Sequence, residues 1–171
     1  MRANKAKTER AAAKPAVVNA AKLADRKLQL TLQTAANAAG LPSKARLRRW
    51  LAAALEEDAV ITVRFVGAAE GRKLNRAYRG LDHATNVLSF GYGNPGPGAA
   101  LAGDLVLCAP VLRREARAQG KALVAHVAHL AVHGALHLQG HDHQKPRAAA
   151  RMEALEVKIL AKLGYPDPYA N

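Results

Sequence analysis

Residues 121–143 read KALVAHVAHLAVHGALHLQGHDH, and this stretch organises the rest of the chain. Leu123, Val127, Leu130 and Leu138 recur at helical spacing, which predicts one long helix over 121–139 stopped by Gly140. Of the seven histidines, six lie between His126 and His143. Residues four apart share a helix face, with Cβ atoms about 5–6 Å apart, so His133 and His137 can offer two imidazole nitrogens to one ion. Gly140 is free to turn left-handed, which lets the chain fold back and bring His143 as a third ligand. Three protein nitrogens and an open fourth position form the arrangement of a catalytic zinc, which lowers the pKa of water to about 7.

For any single histidine on a helix, packing is the ordinary explanation; the crowding here argues for a metal. Spacing alone does not settle the ligand set, because His129 and His133, and also His137 and His141, are four apart. His126 and His129 read as packing residues or as supports for the ligands. Asp142 either orients a ligand histidine or a water, or shapes the turn. The position after His133 separates two enzyme classes, since a helical metalloprotease carries a glutamate base there in His-Glu-x-x-His. Here it is Gly134, which counts against a peptidase.

Upstream, Leu28, Leu30 and Leu32 alternate with polar residues and predict a half-buried strand over 28–34. Pro42 and Ser43 open an amphipathic helix that buries Leu47, Trp50, Leu51, Ala54 and Leu55 and turns Lys44, Arg46, Arg48 and Arg49 elsewhere. A β-branched strand over 59–66 and a helix over 68–78 ended by Gly80 follow. Strands over 85–90 and 103–109 flank the Gly- and Pro-rich loop 91–98 and suggest a hairpin. A short helix runs from Pro110 to Gly120, and a last one spans 146–163 through Met152, Leu155, Ile159 and Leu163. The order predicts a single α+β domain with about four strands in a mixed sheet, about five helices, and a metal site on the long helix near the C-terminal half.

At 171 residues and 50% hydrophobic content the chain can build one real core. Its formal charge of +13 favours a polyanionic partner, for which nucleic acid and an anionic membrane both qualify. No apolar run is long enough to span a bilayer and no secretory signal opens the chain, so a soluble cytoplasmic protein without a membrane partner is expected. Cys108 is the sole cysteine, which excludes an intrachain disulfide and a Cys-rich zinc finger; within its apolar run it reads as core. Residues 1–27 mix lysine and arginine with alanine and show no buryable face, the pattern of a disordered basic arm. A transit peptide fits it less well, because the arm lacks serine and contains Glu9 and Asp25.

The run from His133 to His143 resembles the signature of the YbeY family of endoribonucleases, whose three ligand histidines match His133, His137 and His143. A second block agrees: Leu74-Asn75, Tyr78-Arg79-Gly80 and Thr85-Asn86-Val87-Leu88-Ser89-Phe90 resemble another characteristic family stretch. Gly103-Asp104-Leu105-Val106-Leu107 resembles the family's strand before the metal helix. The likeness covers about residues 28–165. His141 stands where the family more often has tyrosine, and Gly91 where proline is common.

The resemblance implies one zinc ion on His133, His137 and His143, and a catalytic set of Arg79, His133 and His137. Without it, Arg79 reads as a solvated turn residue. It further implies single-strand-specific RNA cleavage, maturation of the 3′ end of 16S rRNA and late ribosome quality control. The implied partners are single-stranded RNA, the small ribosomal subunit and ribosome-assembly proteins. Residues 28–171 would then form the nuclease domain, with Lys44, Arg48, Arg49, Arg72, Lys73 and Arg76 as candidates to track the RNA backbone. Two other readings compete: a zinc hydrolase of peptides or small phosphoesters, and a non-catalytic RNA-binding assembly factor with structural zinc. Aromatic residues make up only 4%, with Trp50, Tyr78, Phe90 and Tyr92 as the few placed for base stacking, which points to backbone and shape readout.

Overall fold

The alternating leucines of Leu28–Thr34 (β1) pair along their length with Ala59–Val66 (β2), in parallel, from Leu28 opposite Ala59 to Thr34 opposite Phe65. Parallel neighbours need a crossover, and helix α1, Lys44–Ala54, supplies it. Ser43 caps α1 by accepting the Arg46 N–H, and the helix buries Leu47, Trp50, Leu51 and Ala54. A second crossover leads from β2 through α2, Ala68–Arg79, and the strand β3, Val87–Gly91, into β4, Leu101–Cys108. β4 lies parallel to β2 and antiparallel to β3, so the hairpin is present and β3 forms the sheet edge in the order β1-β2-β4-β3.

Helices α3 (Ala109–Ala118), α4 (Leu123–Leu138) and α5 (Pro146–Leu163) complete an α+β fold of four strands and five helices among the described residues, which are 27–93 and 96–170 of this computed structural model. The basic arm read over 1–27 lies, except for Lys27, outside them. No helix among the described residues is long and apolar enough to cross a membrane.

Strand alternation divides the core. Ile61, Val63, Phe65, Leu105 and Leu107 point to one face, where α1, α4 and α5 add Trp50, Ala131, Met152 and Leu160. Val66, Val106 and Cys108 point to the other, under Val111 and Leu74. Each fully buried leucine or phenylalanine here contributes roughly 1.5–3 kcal/mol. Cys108 is buried and unpaired, as expected of a core residue, and burial pushes its thiol pKa up. Trp50, one of the aromatic residues considered for base stacking, is 1% exposed and packs edge-on against Tyr165, so its hydrophobic role excludes that use.

Boundaries shift where side chains or backbone compete with the sequence pattern. Thr85 and Asn86 fall outside β3: the Asn86 carbonyl still receives the Cys108 N–H of β4, but the Asn86 side chain accepts the Val87 N–H and donates to Glu115, which bends the chain there. β4 starts at Leu101 and ends at Cys108, since Ala109 and Pro110 already open α3, where proline's missing N–H costs nothing. α4 starts at Leu123 because Gly120 is left-handed and Ala122 is extended.

α4 runs through the middle of the molecule and is buried on most sides. It reaches β4 and β3 closely because two contact positions lack a Cβ. A Cβ at Gly134 would lie 2.7 Å from Leu105 Cδ2 and 3.1 Å from Ser89 Oγ; one at Gly103 would lie 2.7 Å from both Leu138 and the Phe90 carbonyl. The helix end is fastened by Gln139, whose Oε1 accepts the Glu56 N–H at 2.7 Å and whose amide donates to the Ala54 carbonyl at 2.9 Å, joining the C-terminal ends of α1 and α4.

Candidate metal centre and active site

Because α4 is so tightly seated, its histidine stripe has little freedom. His129, His133 and His137 follow one another at intervals of four on the face toward α5 and the cleft beside β3. After His137 the chain turns at Gly140 (φ 87°), with the Gly140 and His141 N–H groups closing on the carbonyls of His137 and Leu136 at 2.9 and 3.1 Å. That turn returns His143 to the stripe. His137 Nε2 then lies 3.1 Å from His133 Nε2 and 2.8 Å from His143 Nδ1. Burial, with His133 and His143 close by, holds the His137 imidazole below its ordinary pKa, which leaves it neutral with a lone pair to give at neutral pH.

The other nitrogen of His133 is spoken for. Its Nδ1 donates to Glu156 Oε1 at 2.7 Å, and His129 Nε2 donates to Glu156 Oε2 at 2.8 Å. The Tyr169 hydroxyl donates to the same Oε2. Glu156 itself is fully buried on α5. Burial alone would push its pKa up, but the hydrogen bonds from His129, His133 and Tyr169 outweigh it and bring the carboxyl down to about 2. Burial, together with the carboxylate, in turn raises the pKa of the Tyr169 phenol. A carboxylate on one imidazole nitrogen fixes the tautomer and leaves the opposite nitrogen free to bind a metal.

Among the described residues two groups therefore have metal-binding geometry: His133 with His137 and His143, and His129 with His133 and Glu156. The first has the better case for chemistry. Two of its members, His137 and His143, line an open cleft of about 440 Å³ together with Arg79, Ser89, Gly91 and Asp142. In the second, both Glu156 oxygens already accept hydrogen bonds from within the protein.

The structure thus brings together His133, His137 and His143, and puts Arg79, from the last turn of α2, beside His137 and His143. His129 supports Glu156. His126 lies two turns before His133 on the same face of α4 and pairs there with Glu115 of α3 at 2.8 Å. His141 lines a different cleft, beside Glu56 and Glu57. Asp142 accepts the Gln144 N–H at 3.0 Å, which is the turn role, while lining the Arg79 cleft. Among the basic candidates, Arg72 is held by a two-pronged pair with Asp82 at 2.8 and 2.6 Å, and Arg48 donates to the Leu28 carbonyl at 2.5 Å.

Glu156 and Tyr169 escaped the sequence reading. The signal was a glutamate sharing a helical face with Met152 and Leu160, all three buried. Glu156→Gln turns one acceptor oxygen into an NH₂ that faces N–H and O–H donors. It is expected to cost about 2–4 kcal/mol by thermal or denaturant unfolding, and to weaken a metal held by His133 about 10- to 100-fold by chelator competition.

An α+β domain that converges three imidazoles beside an arginine in an open cleft has the layout of a metal-dependent hydrolase. Comparison with known proteins narrows the class. The family model described as Endoribonuclease YbeY matches residues 24–164. The Endoribonuclease YbeY of Aromatoleum aromaticum is 59% identical over 150 residues, covering 86% of this chain and 96% of that protein. That of Thiobacillus denitrificans is 56% identical over 142 residues, covering 83% and 96%. The solution structure of TM1509 from Thermotoga maritima aligns with a TM-score of 0.49 at 19% identity, over 84% of this chain and 99% of its own. The chain belongs to the Endoribonuclease YbeY family and is accordingly an enzyme, a hydrolase.

Proposed function

We propose that this chain is a zinc-dependent, single-strand-specific endoribonuclease of the cytoplasm that matures the 3′ end of 16S rRNA and serves late ribosome quality control. The observation that carries the reading is the cluster of His133, His137 and His143, two of which line the cleft that Arg79 also lines, in a chain of this family. The donor set suits zinc: three imidazoles, one of them oriented by a buried carboxylate, with the cleft side left open. Bound there, the ion supplies Lewis-acid charge and lowers the pKa of water, both of which assist phosphodiester hydrolysis.

The chain's own residues do the positioning. Arg79 grips the phosphate through paired N–H donors and offsets the charge that builds up as the P–O bond is exchanged. His133 and His137, held by α4, keep the reacting phosphate at one place relative to that guanidinium. Residues 28–171 form the nuclease domain, and the arm 1–27 supplies part of the protein's formal charge of +13, suited to rRNA and the small ribosomal subunit with its assembly proteins.

Cleavage of an end-labelled single-stranded RNA by zinc-replete protein tests this, with Arg79→Ala purified identically. The variant is expected to cut about 10²- to 10³-fold more slowly at unchanged fold. Equal cutting by both preparations would mean a contaminating ribonuclease. RNA binding without any cutting would favour the assembly-factor reading instead.

A further inference from the structure

Tyr78 and Arg79 are consecutive in the last turn of α2, and they diverge to the two sides of the edge strand β3. Arg79 enters the cleft with His137 and His143. Tyr78 instead packs edge-on against Phe90, with ring centroids 4.8 Å apart at 62°, in a groove of about 570 Å³ that Tyr92 also lines. Cleft and groove share Ser89 and Gly91 as a common wall.

The chain has four tyrosines, two phenylalanines and one tryptophan, and two of those tyrosines with one phenylalanine meet here. Tyr78 and Tyr92 are 67% and 66% exposed, far beyond what packing requires. Tyr92 is nonetheless held, because its hydroxyl donates to Asp104. Exposed rings fixed in orientation next to a phosphate-binding arginine are what a stacked base needs. A protein partner would have no use for the arginine and imidazoles across the shared wall.

Resting on the ribonuclease reading above, we infer that this groove seats an unpaired nucleobase adjoining the scissile phosphate: the base stacks on Tyr78 and Tyr92 on one side of β3 while Arg79 and the imidazole cluster hold the phosphate on the other. A paired base has both faces covered and cannot enter, so the groove would itself impose single-strand preference. Readout would then include base stacking beside the backbone contacts that the low aromatic content suggests.

The test combines Tyr78→Ala, Tyr92→Ala and Tyr92→Phe in the zinc-loaded full chain with single-stranded RNAs that carry one abasic nucleotide at successive positions around the cut. Stacking predicts a 5- to 100-fold rise in KM for each alanine variant, little change in kcat, and partial rescue in Tyr92→Phe, which keeps the ring but loses its hold on Asp104. One abasic position should cost wild type a similar factor and cost the alanine variants nothing more. Both tyrosines are exposed, so melting temperatures should stay level. If wild type cuts RNA and the alanine variants match it at every position, the base subsite is wrong while the ribonuclease reading stands. If wild type neither binds nor cuts RNA, the ribonuclease reading fails and the subsite with it.

Discussion

His137→Ala is expected to lose zinc and RNA cleavage together while keeping its fold. His137 Nε2 is the middle nitrogen of the cluster, within 3.1 Å of His133 and 2.8 Å of His143, so its removal leaves two ligands with no neighbour between them. Structural zinc is worth roughly 10–16 kcal/mol over four ligands, so one ligand carries about 3 kcal/mol, more than a hundredfold in affinity. Alanine is a good helix former and the imidazole is only partly buried, so α4 should persist. Zinc content after dialysis, read beside cleavage, decides the matter. Retention of one zinc per chain with normal cutting would remove His137 from the site. His141→Ala serves as the control: it has the same spacing from His137 but lies beside Glu56 and Glu57, and should keep both zinc and activity.

The second large effect is expected at Gly134→Glu, which writes the His-Glu-x-x-His pattern of helical metalloproteases into this helix. The pattern would be correct and the space absent. Even a Cβ at this position meets Leu105 Cδ2 at 2.7 Å and Ser89 Oγ at 3.1 Å, and Leu105 is wholly buried and unable to yield freely. Gly134→Ala should therefore lose about 1–3 kcal/mol to overpacking, less the roughly 1 kcal/mol that alanine gains over glycine in a helix. The carboxylate introduced by Gly134→Glu would add an unpaired buried charge, for a total of about 4 kcal/mol or more. Unfolding midpoints of the two variants measure this directly, with a peptidase assay alongside. A well-folded Gly134→Glu protein with peptidase activity would show that the helix can retreat from the sheet and that the class boundary drawn at this residue is wrong.

Gly134 also shows why some of the site could be read from sequence and some could not. Interactions between residues close in the chain leave a spacing, and spacing is visible: His133 and His137 across one turn, His143 after the Gly140 reversal, the leucines of β1 and the β-branched run of β2. Interactions across the fold leave no spacing. Glu156 reaches His129 and His133 from another helix, and only its place among buried apolar residues hinted at a partner. Arg79 depended on family likeness, because nothing local distinguishes it from Arg76, which lies within 3.9 Å of Asp82 at the surface. Element ends were the least legible. Asn86 stops short of β3, its side chain held by the Val87 N–H and by Glu115, a residue distant in sequence.

The tether from Tyr169 to Glu156 gives the end of the described chain an influence out of proportion to its size. Past α5, the segment reaches back over α4 through few attachments: Tyr165 against Trp50, the Lys121 ammonium on the Pro168 carbonyl, and Tyr169 on Glu156 and His129. Segments fixed at so few points open locally far more often than the domain unfolds. Each opening would strip one donor from Glu156 and slacken its grip on His133, with no change at any imidazole. A protease nick or a bulky fusion placed here would act as a lesion of the metal centre at a distance, whereas the same manipulation in the loop around residues 96–98 would not. Amide exchange at Tyr169, whose N–H is otherwise protected by Asp167 at 2.8 Å, gives a local gauge of how often the latch lifts.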